Sequence, residues 1–306
     1  MKRRLAALFL ALTMGLSLAA CSGDTGEQTP ETTPETTPET TPSQDAAPSS
    51  PENPVIRLST TTSVNDSGLL PYLQPTFEAD TGYTLEITSA GTGAAIEKGR
   101  TGDADCLLVH AKASEEEFIA EGYSEERIPF MYNYFVIVGP ADDPAGVASS
   151  ANATEAFQKI AEGGYPFISR GDDSGTHKAE LNIWTAAGLS PSPDTDSWYV
   201  SAGQGMGACI NMASEQQAYV LTDKATYLAH ELKDTLSLLL EKSDEMKNTY
   251  SLLAISPEKW PDTNIEGANA FIQWMTSEKG LELIASYGVE EYGEQLFFVM
   301  GDEDSP

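Results

Sequence analysis

The segment SRGDDSGTH, at residues 169–177 of this 306-residue chain, contains groups suited to two kinds of chemistry. Ser174 and His177 lie close enough in sequence to act as a nucleophile and its general base, if an aspartate oriented the histidine. Alternatively, Arg170, the hydroxyls of Ser174 and Thr176, and the N–H groups at the start of a following helix could bind an anion. The first hypothesis is a serine hydrolase, and the second is an oxyanion-binding site.

Three further turns resemble this one in their chemistry. Each follows a predicted strand, precedes a predicted helix and is rich in hydroxyl groups or glycine, at residues 59–63, 90–93 and 203–207. Because ligands of α/β sheets bind beyond the carboxyl ends of the strands, we expect the four turns to face one cleft. The candidate binding residues are Thr61, Thr62, Ser63, Thr92, Arg170, Ser174, Gly175, Thr176, Gly205 and Met206.

A cleft lined by hydroxyls, backbone N–H groups and one arginine suits a small, fully ionised oxyanion. We expect either Asp172 or Asp173 to orient the Arg170 guanidinium. The net charge of -30 does not oppose such a site, because salt screens distant surface charges beyond about 10 Å. The same acidic charge argues against a nucleic-acid partner, which would require clustered lysine and arginine.

The histidine and cysteine pattern predicts that the protein holds no metal ion or cofactor of its own. The three histidines are scattered, and the sequence has no CxxC or HExxH motif. Any metal is then expected only as part of a bound oxyanion. We expect a binding protein rather than an enzyme, because the histidine of a Ser174–His177 pair would need an acid partner fixed elsewhere. Cys106 and Cys209 are predicted to be buried free thiols.

Short apolar segments alternate with amphipathic ones from residue 55 to residue 298, which predicts an α/β fold with mostly parallel sheets. Strands are predicted at 55–62, 84–91, 105–110, 134–140, 166–170, 198–202, 218–223, 236–241 and 251–256. Helices are predicted at 114–123, 154–164 and 176–188, with a final pair of helices within 269–288. Ser114 and Glu117 have the spacing of a capping box for the first of these helices.

This element order fits either one large doubly wound sheet or two smaller sheets with a cleft between them. Residues 130–140 form a long segment with polar Asn133 inside it, which we interpret as a crossing between two lobes, with a return crossing near residues 248–251. The resulting prediction places residues 55–133 and 250–306 in lobe 1 and residues 134–249 in lobe 2.

The N-terminal residues have the features of a lipoprotein signal peptide. Lys2, Arg3 and Arg4 precede an apolar segment at residues 5–18, and the small-residue sequence LAAC ends at Cys21. Residues 1–21 are thus predicted to be the signal, with acylation of Cys21. Residues 22–54 contain no lysine or arginine and three copies of ETTP, which predicts a disordered tether. The expected location is the extracytoplasmic face of the cell membrane, with the lipid as anchor.

The segments that carry the candidate residues resemble the TupA-type tungstate-binding proteins of ABC importers. The similarity runs from about residue 55 to residue 298 and includes TTTSVNDSGLL, AGTGAAIEKG, SRGDDSGTH and WYVSAGQGMG. It implies a two-lobe periplasmic-binding-protein fold of type II that closes on tungstate, or on molybdate, and delivers the ion to an ABC permease. It also implies that Arg170 and Thr176, Thr61 and its neighbours, and Thr92 belong to the anion-binding motif. We expect a monomer.

Two alternatives of the same general kind stay open besides the hydrolase. One is a phosphate or sulfate receptor of the same fold. Phosphate still carries a proton at neutral pH and would need a carboxylate acceptor, which Asp172 or Asp173 could supply. The other is a lipoprotein that senses the anion without transporting it.

Overall fold

The structure is a computed structural model, and it describes residues 51–301. The predicted signal peptide with Cys21, the tether up to residue 50, and residues 302–306 of predicted lobe 1 lie outside the described residues. Within residues 51–301, no helix has both the length and the apolar character that crossing a membrane requires.

Strands and helices alternate along most of the described chain, as predicted. The strands are β1 (Val55–Thr61), β2 (Thr84–Ala90), β3 (Cys106–Val109), β4 (Ile128–Gly139), β5 (Phe167–Ser169), β6 (Tyr199–Ser201), β7 (Tyr219–Asp223), β8 (Ser237–Leu240), β9 (Lys247–Ala254) and β10 (Phe298–Val299). The helices are α1 (Thr62–Asp66), α2 (Leu69–Thr81), α3 (Thr92–Thr101), α4 (Lys112–Ala120), α5 (Ala153–Gly163), α6 (Gly175–Ala186), α7 (Met206–Gln216), α8 (Lys224–Ala229), α9 (Ile265–Met275), α10 (Glu278–Ser286) and α11 (Val289–Tyr292).

The strands form two parallel groups joined by two antiparallel strands. The order is β2-β1-β3-β9-β4-β7-β5-β6, with β8 and β10 also paired to β4. β1 is parallel to β2 and β3, and β5 is parallel to β6 and β7. The α/β prediction is therefore confirmed, and the prediction of parallel pairing holds within each group. It is wrong for β4 and β9, which run antiparallel to each other and to their outer neighbours.

β4 and β9 make the connection between the two groups. β4 pairs with β9 up to Tyr134 and with β7 from Phe135 onward, so one strand serves both sheets. Both strands begin earlier than the predicted segments at residues 134 and 251. The arrangement is that of a two-lobe protein, and the lobe limits given above stay a prediction.

Each strand group has its own apolar core. Around β1–β3, α2 and α9 pack Leu73, Phe77 and Phe271 against the sheet, and all three side chains are buried. Around β5–β7, the aromatic side chains of α5 and α6 do the same, with Phe157 and Trp184 at a ring distance of 4.3 Å. Every residue of β3 and β7 is buried, which is typical of strands covered on both faces.

Two local predictions have definite outcomes. Cys106 and Cys209 are both buried free thiols, as expected. The predicted capping box of Ser114 and Glu117 is wrong, because α4 begins before Ser114. Instead, the N–H of Ala111 donates to Glu115 Oε1 over 2.6 Å, and Arg127 Nε holds the other oxygen of that buried carboxylate at 2.8 Å.

Asp105 ties three elements of the first group together. Its side chain is almost fully buried and accepts hydrogen bonds from the backbone and guanidinium of Arg57 on β1, and from the N–H of Asn264 at the start of α9. Burial acts to raise the pKa of Asp105, but these hydrogen bonds outweigh it and the pKa is lowered.

Replacement of Asp105 by alanine is expected to lower the free energy of unfolding by about 3 kcal/mol, because it leaves several buried N–H donors without an acceptor. Urea denaturation measures the change. Since the pKa is lowered in the folded state, this contribution is present above the pKa of an unfolded aspartate and is lost as the pH falls through the folded value. A variant as stable as the wild type at pH 7 would contradict this account.

Candidate oxyanion-binding site

The β5–α6 turn holds Arg170 in a fixed position. The side chain is 2% exposed, and its Nε donates to the carbonyl oxygen of Gln204 over 2.8 Å. Nη2 lies 2.6 Å from Asp172 Oδ2, while Asp172 Oδ1 accepts from the N–H of Ser174. Burial acts to raise the pKa of Asp172, but its partners Ser174 and Arg170 lower it. The prediction that an aspartate orients the arginine is confirmed, and that residue is Asp172.

Ser174 is the N-cap of α6, and its Oγ accepts from the N–H of His177 over 3.2 Å. Gly175 and Thr176 are the first two residues of the helix, and both are buried. The backbone reaches the cap through left-handed conformations at Gly171 (φ +59°) and Asp173 (φ +58°). This turn aims the first N–H groups of α6 out of the helix end, where an anion is favoured.

Ser174 and His177 do not have the geometry of a nucleophile and its base. The Ser174 hydroxyl serves as the helix cap, and the His177 Nδ1 accepts from the N–H of Asp173 over 3.1 Å. Because Nδ1 accepts, the neutral ring carries its proton on Nε2, so neither ring nitrogen is free to take a proton from the Ser174 hydroxyl. The two residues act as parts of a helix terminus.

The β1–α1 turn supplies hydroxyl groups from the other strand group. β1 ends at Thr61, and Thr62 and Ser63 begin α1. Thr61 Oγ1 lies 3.1 Å from Ser63 Oγ, and the Tyr250 hydroxyl donates to the same serine oxygen over 3.3 Å. Thr61 and Ser63 are buried, so these hydroxyls face the interior of the molecule.

Thr92 is the first residue of α3 and is completely buried. Its Oγ1 has no hydrogen-bond partner among the residues that the structure describes. A buried hydroxyl without a partner costs about 1–3 kcal/mol, so this hydroxyl is available to donate to a ligand at the turn. The preceding Gly91 brings this turn close to the β5–α6 turn, since a Cβ at position 91 would lie 3.7 Å from the Asp172 carbonyl oxygen.

The β6–α7 turn is joined to the others through Arg170. Gly205 is the N-cap of α7 and Met206 is its first residue, directly after the Gln204 carbonyl that accepts from Arg170. The Met206 sulfur accepts from the N–H of Asp223 over 3.2 Å. A role for Met206 in anion binding would therefore rest on its backbone N–H group rather than on its side chain.

His110 is the residue that the sequence analysis missed. It follows β3 directly, so it occupies a fifth strand end beside the four that were considered. Its Nε2 lies 3.1 Å from Ser63 Oγ, and its ring packs against Gly175. Burial is the main cause that lowers the pKa of His110 to about 4, with a further contribution from the charge of Arg170. The ring is thus neutral at physiological pH.

These contacts bring all four predicted turns into one place between the two strand groups. A cavity of about 540 Å³ extends outward from His110 and Gly175 between α4 and α6. Lys178 on α6 reaches across it to within 3.4 Å of Ser114 Oγ on α4. Within residues 51–301, no three histidine, cysteine, aspartate or glutamate side chains are clustered closely enough to hold a metal ion.

A two-lobe α/β fold with helix starts facing an interlobe site defines a class of solute-binding proteins. A family model described as a PBP superfamily domain matches residues 37–279. The chain therefore belongs to the periplasmic-binding-protein superfamily.

Within this superfamily, the chain belongs to the TupA-type family. It is 47% identical over 262 residues to the tungstate-binding protein TupA of Peptoclostridium acidaminophilum, which covers 82% of this chain and 91% of that protein. The crystal structure of the tungstate ABC transporter from Geobacter sulfurreducens is 44% identical, with a TM-score of 0.71, and covers 76% of this chain and 98% of that one. The tungstate-binding protein TupA from Desulfovibrio alaskensis G20 is 40% identical, with a TM-score of 0.70, and covers 81% and 100%.

The buried carboxyl group of Glu180 contacts the β5–α6 turn, which carries Arg170. Glu180 on α6 is 1% exposed and accepts from the Tyr199 hydroxyl over 2.8 Å and from the Trp184 Nε1 over 3.1 Å. The backbone N–H of Arg170 also interacts with it. Burial raises the pKa of Glu180 to about 7, against an ordinary value of 4.5.

Because the folded pKa lies above the ordinary value of 4.5, the stability that protonated Glu180 contributes is complete below about pH 4.5 and is lost as the pH rises to about 7. Relative to the wild type, Glu180→Gln should gain stability between pH 5 and pH 8, by at most about 3 kcal/mol. Thermal unfolding at both pH values measures the difference, with exposed Glu162→Gln as the matched control. Any pH dependence shared by the wild type and the variant would come from other groups, including Asp223, whose pKa burial raises to about 6. Equal pH profiles for the wild type and Glu180→Gln would contradict the assignment.

Proposed function

We propose that this chain is a lipid-anchored extracytoplasmic receptor that captures tungstate, also accepts molybdate, and delivers the ion to an ABC permease. Its relatives from Peptoclostridium acidaminophilum and Desulfovibrio alaskensis bear the name tungstate-binding protein, and this similarity supports tungstate as the ligand. The similar structure from Geobacter sulfurreducens is that of a tungstate ABC transporter, which supports delivery to a permease.

The observation that carries the proposal is the surplus of donors at the site. Both carboxylate oxygens of Asp172 are engaged within their own turn, so Asp172 orients Arg170 and is not free to accept from a ligand. The buried Thr92 hydroxyl, the first N–H groups of α6 and the remaining N–H groups of Arg170 are left as donors. Such a set favours an anion that has oxygen acceptors and no proton.

The same geometry weighs against a phosphate receptor. Phosphate carries a proton at neutral pH, so its site needs a free acceptor. The Asp173 side chain is 76% exposed and its Oδ2 lies 3.6 Å from Lys178 Nζ, so it faces a cation at the surface. Sulfate carries no proton but is smaller than tungstate, so the size of the closed site would separate these two ions.

We assign the anion contacts to Thr61, Thr62, Ser63, Thr92, Arg170, Ser174, Gly175, Thr176, Gly205 and Met206. The backbone N–H groups and hydroxyls would surround the oxygens of the ion, and Arg170 would add charged donors, with much of its charge offset by Asp172. Replacing the water shell of the ion by fixed dipoles allows binding without a cluster of lysines. The protein would act as a monomer and catalyse no reaction.

The N-terminal features support the anchoring part of the proposal. Acylation of Cys21 would hold the mature protein at the membrane, and the proline-rich tether at residues 22–54 would give it a reach on the order of 100 Å. This distance would let the receptor move between free solution and a permease in the same membrane.

A titration of the purified protein with four anions tests the ligand. Tungstate and molybdate are expected to bind more tightly than sulfate, and phosphate is expected to bind most weakly because it lacks an acceptor at the site. Isothermal calorimetry at pH 7.5 gives the four dissociation constants. If phosphate bound most tightly, the substrate would be wrong although the fold would be unchanged.

Replacement of Arg170 by glutamine is expected to weaken tungstate binding at least tenfold, because it removes the buried positive charge and its fork of donors. The matched control is Arg100→Gln, since Arg100 pairs with Glu121 on the surface of α3. Calorimetry on both variants, with the melting temperature as a check of folding, measures the effect. An unchanged affinity in folded Arg170→Gln would remove Arg170 from the site.

A further inference from the structure

His110 contacts the candidate site from both sides of the cleft. On the side of β1, its Nε2 lies 3.1 Å from Ser63 Oγ. On the side of α6, its ring lies against Gly175 so closely that a Cβ at position 175 would overlap Cε1 and lie 2.8 Å from both ring nitrogens. One imidazole thus separates the hydroxyl-bearing turn of one strand group from the helix start of the other.

The position of the ring is fixed by its other neighbours. The Tyr250 ring lies 5.0 Å from it and the Phe135 ring 6.3 Å from it, measured between ring centroids. Tyr250 also donates to Ser63 Oγ, so the tyrosine and the histidine hold the same serine from two directions. The side chain of Asn248 lies beside the ring and interacts with it. These neighbours hold the ring beside the start of α6, and its remaining edge borders the cavity between α4 and α6.

The neutral state of the ring suits this position. Burial and the nearby Arg170 guanidinium both lower the pKa of His110. The start of α6 carries the positive end of the helix dipole, which would repel an imidazolium cation. A neutral imidazole can lie against Gly175 while the positive potential of this helix end stays available to the anion.

We propose that His110 is a positioning residue for the oxyanion. It orients the Ser63 hydroxyl in one lobe and sets the distance at which the α6 start of the other lobe closes on the ion. The inference rests on the proposed function. It also explains the glycine at position 175. The φ of this residue is not left-handed, so the backbone conformation alone would allow other residues there. What excludes a side chain there is the His110 ring.

A double-mutant cycle on the full-length protein tests the contact, with sodium tungstate as the probe. Gly175→Ala should weaken binding at least tenfold, because its methyl group prevents α6 from reaching the ring. His110→Ala alone should weaken binding three- to tenfold through the loss of the Ser63 contact. The double variant His110→Ala/Gly175→Ala should bind at least fivefold more tightly than Gly175→Ala, because the space vacated by the ring accepts the methyl group. If the two losses simply multiply, the ring does not set the approach of α6.

Two conservative variants test the hydrogen bond to Ser63. Glutamine at position 110 can place an amide near the position of Nε2, whereas leucine fills similar space without a polar atom. His110→Gln should therefore retain more affinity than His110→Leu, with His230→Ala as the matched histidine control within twofold of the wild type. Equal losses in the glutamine and leucine variants would overturn the role in orienting Ser63.

A scattering measurement gives a second readout of the same contact. On addition of tungstate, the radius of gyration should fall in the wild type and in the double variant, and fall less in Gly175→Ala. If the single variant Gly175→Ala does not fold, the double variant is expected to fold, because removal of the ring relieves the same clash. A double variant that also fails to fold would count against the contact. A wild type that does not bind tungstate would overturn the proposed function, whereas a binding wild type with additive losses would overturn this inference alone.

Discussion

The buried guanidinium of Arg170 is the group on which the site depends. Burying a charged guanidinium is costly unless its N–H groups find acceptors. Here the acceptors are the Gln204 carbonyl and the Asp172 carboxylate. These hydrogen bonds connect the β6–α7 turn to the β5–α6 turn, and the β5–α6 turn passes through two left-handed residues, Gly171 and Asp173. The same turn places Ser174 as the cap of α6. One buried cation thus joins the starts of two helices through its hydrogen bonds.

Charge at the site is balanced locally, although the whole chain carries -30. Arg170 is paired with Asp172, so the two together add little net charge, and His110 is neutral. Most of the attraction for a dianion must therefore come from oriented N–H and O–H dipoles at the ends of helices and strands. Such dipoles act over short distances and in fixed directions, which favours a ligand of one size and shape over any anion of the same charge.

The sequence predicted most of the strand positions and the four donor-rich turns that the structure brings together, because these depend on local signals: apolar segments, hydroxyl groups and glycines before helices. It did not predict the full length of β4 and β9. Their polar Asn133 and Asn248 interrupt the apolar pattern. Across the strands, Asn248 Nδ2 donates to Asn133 Oδ1 over 3.0 Å, and Asn133 Nδ2 donates to Asp223 Oδ2. His110 was missed for a related reason. Its partners Ser63 and Gly175 are distant in the chain, and scattered histidines carry no local signal of such a contact.

The pairing of Asn133 with Asn248 has a consequence for the architecture of the chain. Asn133 on β4 and Asn248 on β9 are paired, and 114 residues lie between them in the chain. The two ends of this segment are therefore neighbours in the structure. A segment with adjacent ends can be exchanged, duplicated or excised without rethreading the remainder. The fold is therefore modular at this point. Residues 134–247, which carry the Arg170 half of the candidate site, could be replaced as one unit, and most of the core around β1–β3 would stay in place.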